Sequence, residues 1–222
     1  MIRPLILLLL AVAVLPACSS IPFEETELCP VDGFDPKEVR TEFAAALPEA
    51  FTLVNTVVFE YLWHSMSALG MLAVDAEEDT FTLVCLTAVG FKIFEISGEG
   101  EETTCVLTLK EIASEEEMAE ALGQDIRRIY FDLVPMAEAE VEKDDDLLLY
   151  SHPSGENHVE HDFGGKDALL LEKRHYDDGD LTTRVRYYEY VDREGLFYPG
   201  GVVLDNRRFG YRLIVRLKEI RD

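Results

Sequence analysis

The chain has 222 residues, and its 20 lysines and arginines against 44 aspartates and glutamates give a formal net charge of −24. Such a charge repels the phosphates of nucleic acids and the headgroups of anionic lipids, so neither is expected as a ligand. With 48% hydrophobic residues the chain is too apolar for a disordered acidic tail, and it is long enough for one domain with a substantial core.

The N-terminal stretch MIRPLILLLLAVAVLPACSS has the features of an export signal. Its apolar part, residues 4–17, is shorter than the about 20 residues that a membrane-spanning helix needs. Arg3 supplies a positive start, and small residues precede Cys18. The stretch resembles a bacterial lipoprotein signal, which is cleaved before the cysteine whose sulfur is then lipidated. Removal of residues 1–17 is therefore predicted; an ordinary secretory signal is the alternative.

Lipidation of Cys18 attaches more than one acyl chain, and at about 0.8 kcal/mol per buried methylene this makes membrane anchoring stable. Ser19 follows the cysteine, which by resemblance to enteric lipoproteins favours the outer membrane, facing the periplasm, over the inner one. Residues 18–35 contain three acids before Cys29 and two prolines. They are predicted to be the lipidated residue and a tether, followed by a single domain over residues 36–222.

The remaining cysteines do not form a metal-binding pattern. Cys29, Cys85 and Cys105 are an odd number for an oxidising compartment. Cys85 and Cys105 lie in strand-like segments with another such segment between them. The two are therefore expected about 9–10 Å apart, which is too far for a disulfide. Buried thiols are predicted.

Two segments predict helices. In DPKEVRTEFAAAL, Asp35 is a capping residue and Pro36 takes the first helical position, which predicts a short amphipathic helix. SEEEMAEALGQDIRRIYFDLVP, residues 114–135, predicts a longer helix that starts with a capping box and ends at Pro135. Gly123 is a potential break in it. Its apolar stripe consists of Met118, Leu122, Ile126, Ile129 and Leu133.

Ten segments with alternating hydrophobicity predict antiparallel strands. They are residues 53–63, 66–76, 80–89, 91–97, 103–111, 147–152, 157–163, 168–176, 181–191 and 211–220. Segment 53–63 is apolar at both parities, so both faces of the sheet are expected to be covered there. DDGD, residues 177–180, predicts a hairpin turn. The acidic run EAEVEKDDD, residues 138–146, is predicted to be a solvated loop.

Four stretches occur in a familiar order: LVCLTAVGFKIFEIS, LLLEKRHYDDGDLTTRVRYYEYVD, LFYPGGVVLDNRRFG and YRLIVRLKEI. From about residue 50 to residue 220 the chain resembles the LolA/LolB-like group of outer-membrane lipoprotein carriers and receptors. It is most similar to a family of uncharacterised bacterial lipoproteins that shares this fold. The resemblance implies an α+β fold that is mainly antiparallel β: an incomplete, half-open β-barrel of about ten to eleven strands, covered by one long and one short helix.

The resemblance also implies a function. In that group the open barrel encloses an apolar cavity, so the protein is expected to bind acyl chains of lipoproteins or of another envelope lipid, for transport or outer-membrane insertion, and not to be an enzyme. The cavity is expected to be lined by the inward-facing members of the set Val57, Phe59, Tyr61, Leu83, Ile93 and Val215. The alternative is a structural or assembly lipoprotein with a filled core, which acts through an envelope protein partner on its acidic surface.

One turn has a counterpart in the receptor branch of that group, where a leucine in a Pro-Leu-Gly hairpin turn moves the cargo on. The corresponding turn in this chain is Ala88-Val89-Gly90. The resemblance therefore implies a transfer role for Val89. The turn departs from the pattern in two ways, because valine is smaller than leucine and the proline is missing.

The histidine-rich segment SHPSGENHVEHDF contains side chains of the types that bind zinc. In a strand, however, His158 and His161 point to opposite faces, so no metal site is predicted for them or for His152. The chain has no Gly-x-Ser-x-Gly motif, and its acids are too numerous for one pair to be singled out. No catalytic residue, cofactor or nucleic-acid partner is predicted.

Overall fold

The computed structural model of the protein describes residues 21–107, 115–154 and 157–221. The signal peptide, Cys18, Ser19 and the start of the predicted long helix at Ser114 lie outside these residues. Helix α1 spans Pro36–Ala45 and helix α2 spans Glu115–Tyr130. The strands are β1 (Ala50–Tyr61), β2 (His64–Asp75), β3 (Thr80–Leu86), β4 (Lys92–Glu99), β5 (Glu102–Leu107), β6 (Glu140–Asp144), β7 (Leu147–Ser154), β8 (Asn157–Gly164), β9 (Leu169–Asp177), β10 (Asp180–Tyr188), β11 (Val191–Arg193), β12 (Leu196–Tyr198), β13 (Gly201–Asn206) and β14 (Tyr211–Arg221).

Twelve of the strands form one antiparallel sheet in the order β5-β4-β3-β2-β1-β14-β13-β10-β9-β8-β7-β6, and β11 and β12 form a separate hairpin. In this order β5 and β6 are the two edges, so the sheet is not closed. The predicted α+β fold with an incomplete antiparallel barrel is confirmed in outline. The predicted count of ten to eleven strands was too low, since the described residues form fourteen.

The sequence-based prediction missed β6, β11, β12 and β13. Residues 138–146 were predicted to be a solvated loop, and this was wrong because Glu140–Asp144 form β6. Strand β6 pairs with β7 on one side only, and all five of its residues are exposed. It therefore buries no face that would show as an alternating pattern. Strand β13 is missed for the opposite reason: Gly201 to Leu204 are all buried, so successive residues do not alternate either.

Helix α1 forms as predicted. The Asp35 carboxylate accepts a hydrogen bond of 2.8 Å from the Lys37 backbone N–H, which caps the first turn. Val39 and Phe43 are buried, and the Phe43 ring meets Phe163 of β8 edge-on at 5.0 Å. The short helix thus closes the β7–β8 side of the fold.

Helix α2 crosses the inner face of the sheet. Gly123 does not break the helix; it lets the backbone approach β5 closely, since a Cβ there would lie 2.6 Å from Thr103. The helix ends at Tyr130, five residues before Pro135, because Asp132 takes a left-handed conformation with φ of 50°. Leu133 of the predicted stripe therefore lies beyond the helix, and the Met118 side chain is outside the described part.

The outer face of the sheet is covered by the segment that precedes α1. The Phe23 ring stacks on Tyr188 with ring centroids 5.3 Å apart, and the Arg216 guanidinium lies 4.5 Å from the Phe23 centroid. Val31 is buried, and its N–H donates to the Asp145 carbonyl at 3.2 Å. Residues 21–34, which the sequence places in the tether, therefore pack against the domain.

The cysteines of the sheet lie as the strand pattern predicted. Cys85 is in β3 and Cys105 is in β5, with β4 between them. Both are buried, and burial raises the pKa of the Cys85 thiol to about 11. A thiol with so high a pKa forms little of the reactive thiolate at neutral pH.

Candidate functional site

An apolar cavity of about 150 Å³ lies between α2 and the inner face of the sheet. Strands β1 to β4 and β14 form its sheet side, and α2 forms its roof. An apolar cavity of this size stays dry and accommodates a ligand about as large as benzene. The space admits a short piece of a hydrocarbon chain.

The structure places four of the six proposed lining residues in the cavity wall: Val57, Phe59, Leu83 and Val215. Tyr61 has the same parity as Val57 and Phe59 but lies at the end of β1, where 43% of it is exposed. Ile93 is buried at a β-bulge, the unpaired position opposite the Cys85–Leu86 step, and its neighbour Phe94 faces the cavity instead. A bulge shifts side chains from one face to the other, and a strict period of two does not anticipate it.

The roof of the cavity comes from the predicted stripe of α2. Leu122, Ile126 and Ile129 all face the cavity, as their spacing of three to four residues requires. Tyr130 completes the roof at the end of the helix. The amphipathic pattern therefore identified the covering side chains, although the sequence did not show that they leave a space.

A buried carboxylate, Asp125, was not found by sequence reasoning. It lies on the cavity side of α2 and accepts hydrogen bonds from the Tyr211 hydroxyl and, at 3.2 Å, from the Asn206 amide. Arg128 lies 3.5 Å from it. Burial raises the pKa of the Asp125 carboxyl, against the opposing effects of Tyr211, Arg128 and Asn206. These contacts connect the middle of α2 to β13 and β14 and hold the helix over the cavity.

The C-terminal end of α2 is held by a buried lysine and a buried histidine. Lys173 of β9, 0% exposed, donates to the carbonyls of Phe131 at 2.8 Å and of Asp132 at 3.3 Å. His161 of β8 donates to the Asp132 carbonyl at 3.1 Å through Nε2. These donors satisfy the carbonyls of the two residues that follow the helix, and a cation there also complements the helix dipole.

Burial lowers the pKa of the Lys173 ammonium to about 7, and burial together with nearby Lys173 lowers the pKa of His161 to about 3. His161 therefore stays neutral in the folded protein at a pH where the unfolded chain is protonated. The unfolded state takes up this proton first as the pH falls below about 6.5. His161 thus makes the protein less stable with decreasing pH in that window.

His161→Gln should remove this loss of stability with decreasing pH, because glutamine keeps a hydrogen-bond donor for the Asp132 carbonyl but does not titrate. Between about pH 6 and pH 4, the free energy of unfolding of the variant should depend on pH less steeply by about 1.4 kcal/mol per unit. Urea unfolding at several pH values in this range measures both slopes. Equal slopes would contradict the neutral, buried state of His161.

A larger groove of about 1020 Å³ lies on the other side of Tyr130. Its wall is aromatic near Tyr130, with Phe51, Tyr187 and Tyr198, and charged farther out, with Glu120 and Arg127. Tyr130 lines both the groove and the cavity. Its side chain therefore lies between a large amphipathic groove and a small apolar cavity.

Val89 lies in the turn between β3 and β4, where 78% of it is exposed. It is at the same end of the sheet as the β1–β2 turn, because Leu86 pairs with Leu69 in the first half of β2. It contributes nothing to the cavity wall; it projects from the rim of the sheet.

The three histidines of the histidine-rich segment, residues 151–163, do not lie on one face of the sheet. His152 stacks on His161 at 5.4 Å on the inner face, whereas His158 interacts with Glu160 at 3.2 Å. Within the described ranges no group of three or more His, Cys, Asp or Glu side chains is arranged to hold a metal ion. Over the same part of the chain, no helix has both the length and the apolar character required to cross a membrane.

Several solved structures share this architecture. A LolA superfamily protein from Nitrosomonas europaea aligns with a TM-score of 0.59 and 11% identity, over 86% of this chain and 95% of the other. A domain assigned to outer-membrane lipoprotein sorting, from Vibrio parahaemolyticus, gives 0.57 and 14%, over 83% and 90%. A DUF1329 family protein from Desulfovibrio piger gives 0.50 and 10%, over 85% and 93%. At these identities the likeness concerns the fold, and it defines the chain as a protein with a LolA-like fold.

The sequence itself gives the family. The family model described as "Protein of unknown function (DUF3261)" matches residues 52–219. Because this match spans more than half of the chain, the protein belongs to that family, whose fold is LolA-like. The resemblance seen in the sequence is thereby confirmed. None of the curated proteins with which the chain was compared matches it.

Proposed function

We propose that this protein binds acyl chains of lipoproteins, or of another envelope lipid, in the cavity beneath α2. The cavity itself is the observation that supports this proposal. Its wall is apolar apart from Asn55 and the fastened Asp125, so water gains little by entering. An acyl chain gains about 0.8 kcal/mol for each methylene that it buries. Binding by partition needs no catalytic residue, and we propose no enzymatic activity.

A complete acyl chain is too long to fit into the cavity of about 150 Å³. The methylenes that do not fit into the cavity extend past Tyr130 into the aromatic part of the groove, because Tyr130 borders both spaces. The polar head of the lipid then remains among the charged side chains farther out, such as Arg127. Cavity and groove together thus accommodate an amphiphile with its apolar end innermost.

The remaining parts of the proposal concern location and transfer. We propose that Cys18 carries the lipid anchor and that the domain faces the periplasm from the outer membrane, in the bacterial envelope. The fold is that of lipoprotein-sorting proteins, which supports this location. We also propose Val89, at the exposed rim, as a contact for the departing cargo.

Native mass spectrometry of residues 21–222, incubated with a triacylated lipopeptide, tests the binding. We expect a complex whose extra mass dissociates as the lipopeptide. Leu83→Glu, which puts a charge into the cavity wall, should weaken it by at least about tenfold, since an unpaired buried charge costs more than 1.4 kcal/mol. Val141→Glu puts the same charge on an exposed valine of β6, away from the cavity, and should leave uptake unchanged. A chain that stays bare would contradict lipid binding and favour the scaffold with a protein partner.

A further inference from the structure

Three neighbouring hairpin turns lie side by side at one end of the sheet. They connect β3 to β4, β1 to β2, and β13 to β14, and these strands are adjacent in the order β4-β3-β2-β1-β14-β13. The pairing of Tyr61 with both His64 and Tyr211 places the β1–β2 and β13–β14 turns together. We call residues 61–66, 86–92 and 207–211 the tip surface.

The tip surface exposes large apolar side chains that no core contact requires. Leu62 is 69% exposed, Trp63 82% and Phe91 73%, and Val89 and Phe209 join them. Exposed large apolar side chains concentrated at one end of a sheet indicate an interaction surface. Tryptophan in particular is enriched at the boundary between the acyl chains and the headgroups of a bilayer.

The charges of the tip surface differ from those of the rest of the chain. Its three segments contain no aspartate or glutamate, although the whole chain has 44. They contain Lys92, Arg207 and Arg208, and the Arg208 guanidinium lies 5.8 Å from the ring centroid of Phe209. Acids lie just behind the segments: Glu95 is 3.0 Å from Lys92, Glu60 directly precedes Tyr61, and Asp177 of a neighbouring turn is 4.0 Å from Arg208. Apolar side chains at the tips can enter the acyl-chain region of a bilayer while the flanking arginines bind the lipid phosphates.

The path of the N-terminal segment gives a second argument, which rests on the lipid anchor of the proposed function. Ile21 packs against the outer-face cluster of Phe23, Tyr188 and Val203. Two residues, Ser19 and Ser20, lie between Cys18 and Ile21, and even a fully extended chain spans at most about 11 Å over these three steps. An anchor at Cys18 therefore holds the domain close to the membrane surface, with no long flexible linker between them.

We propose that the tip surface docks on the phospholipid bilayer, with Leu62, Trp63 and Phe91 in the interface and Arg207 and Arg208 at the phosphates. Met66 belongs both to this surface and to the cavity wall. The docked end of the domain is thus the end at which the cavity wall begins.

Trp63 is the only tryptophan of the chain, so its fluorescence reports on this surface alone. The full chain is reconstituted, through its own N-terminal segment, into phosphatidylcholine vesicles with and without bromine on the acyl chains near the headgroup. Bromine quenches tryptophan on contact. We expect emission in brominated vesicles to fall roughly twofold, as for tryptophans that lie in the interface.

Leu62→Glu should remove most of this quenching, because it puts a charge into the interface beside the reporter. Val141→Glu makes the same type of change at an exposed valine of β6, away from the tips, and should have no effect. Equal emission in both kinds of vesicle, or a chain that does not float with vesicles, would overturn the proposal. Protection of unquenched Trp63 from acrylamide would also overturn it and would indicate a protein contact. Uptake of lipopeptide is measured separately, so failure of docking and failure of the cavity are distinguishable.

Discussion

Lys173→Ala is expected to lower the free energy of unfolding by about 3–5 kcal/mol, because it combines a cavity with an unpaired buried carbonyl. The side chain is fully buried, and its amine is the donor to the Phe131 carbonyl at the end of α2. Asp132 keeps a partner in His161, whereas Phe131 does not gain one. Urea unfolding at about pH 10 measures the loss, because at lower pH the unfolded chain holds a proton on the lysine that the folded protein, with a pKa lowered to about 7, gives up, and this offsets part of the loss.

Two further variants separate the causes. Lys173→Met keeps the volume and removes only the donor, so its loss should be about 1–3 kcal/mol. Lys166→Ala removes an exposed lysine and should change stability by less than about 0.5 kcal/mol. If Lys173→Ala were as stable as Lys166→Ala, the lysine would not hold the end of the helix.

Tyr130→Ala is expected to increase binding of the lipopeptide at least about tenfold, because two additional buried methylenes contribute about 1.6 kcal/mol. The Tyr130 ring lines both the cavity and the groove, so its removal joins the two spaces. Titration in native mass spectra, or displacement of an apolar dye, measures the change.

Phe197→Ala is the matched control, since Phe197 lines the groove but not the cavity. It should change binding by no more than about twofold, because it widens a space that is already open. Should Tyr130→Ala prove too unstable to study, Tyr130→Leu shortens the ring with a smaller loss of packing. Unchanged binding in both Tyr130 variants would show that the ligand does not pass this residue.

Local signals predicted most of the fold. The cap at Asp35 and the proline after it fixed the start of α1, and the apolar stripe of α2 identified the face that roofs the cavity. The DDGD turn also forms the expected hairpin between β9 and β10, with Asp178 and Gly179 both at positive φ. These features depend on residues close in sequence, which is why they are visible without the structure.

Features that depend on distant residues were not predictable. Asp125 is bound by Tyr211, and Lys173 is bound by Phe131, so neither partner is indicated by a local pattern. Strand β13 is buried on both faces and β6 on none, and both lack the alternation that reveals a half-covered strand. The same limit applies to Ile93, whose bulge shifts the register of β4.

Strand β6 also affects how copies of the protein meet. An uncovered sheet edge is a template on which a second chain can add a strand, and charged side chains oppose this. Four of the five β6 residues are charged, and three of them are acidic: Glu140, Glu142 and Asp144. Proteins attached to one membrane encounter each other at a raised effective concentration. For the lipid-anchored protein proposed above, the acidic edge therefore opposes strand addition between neighbouring copies.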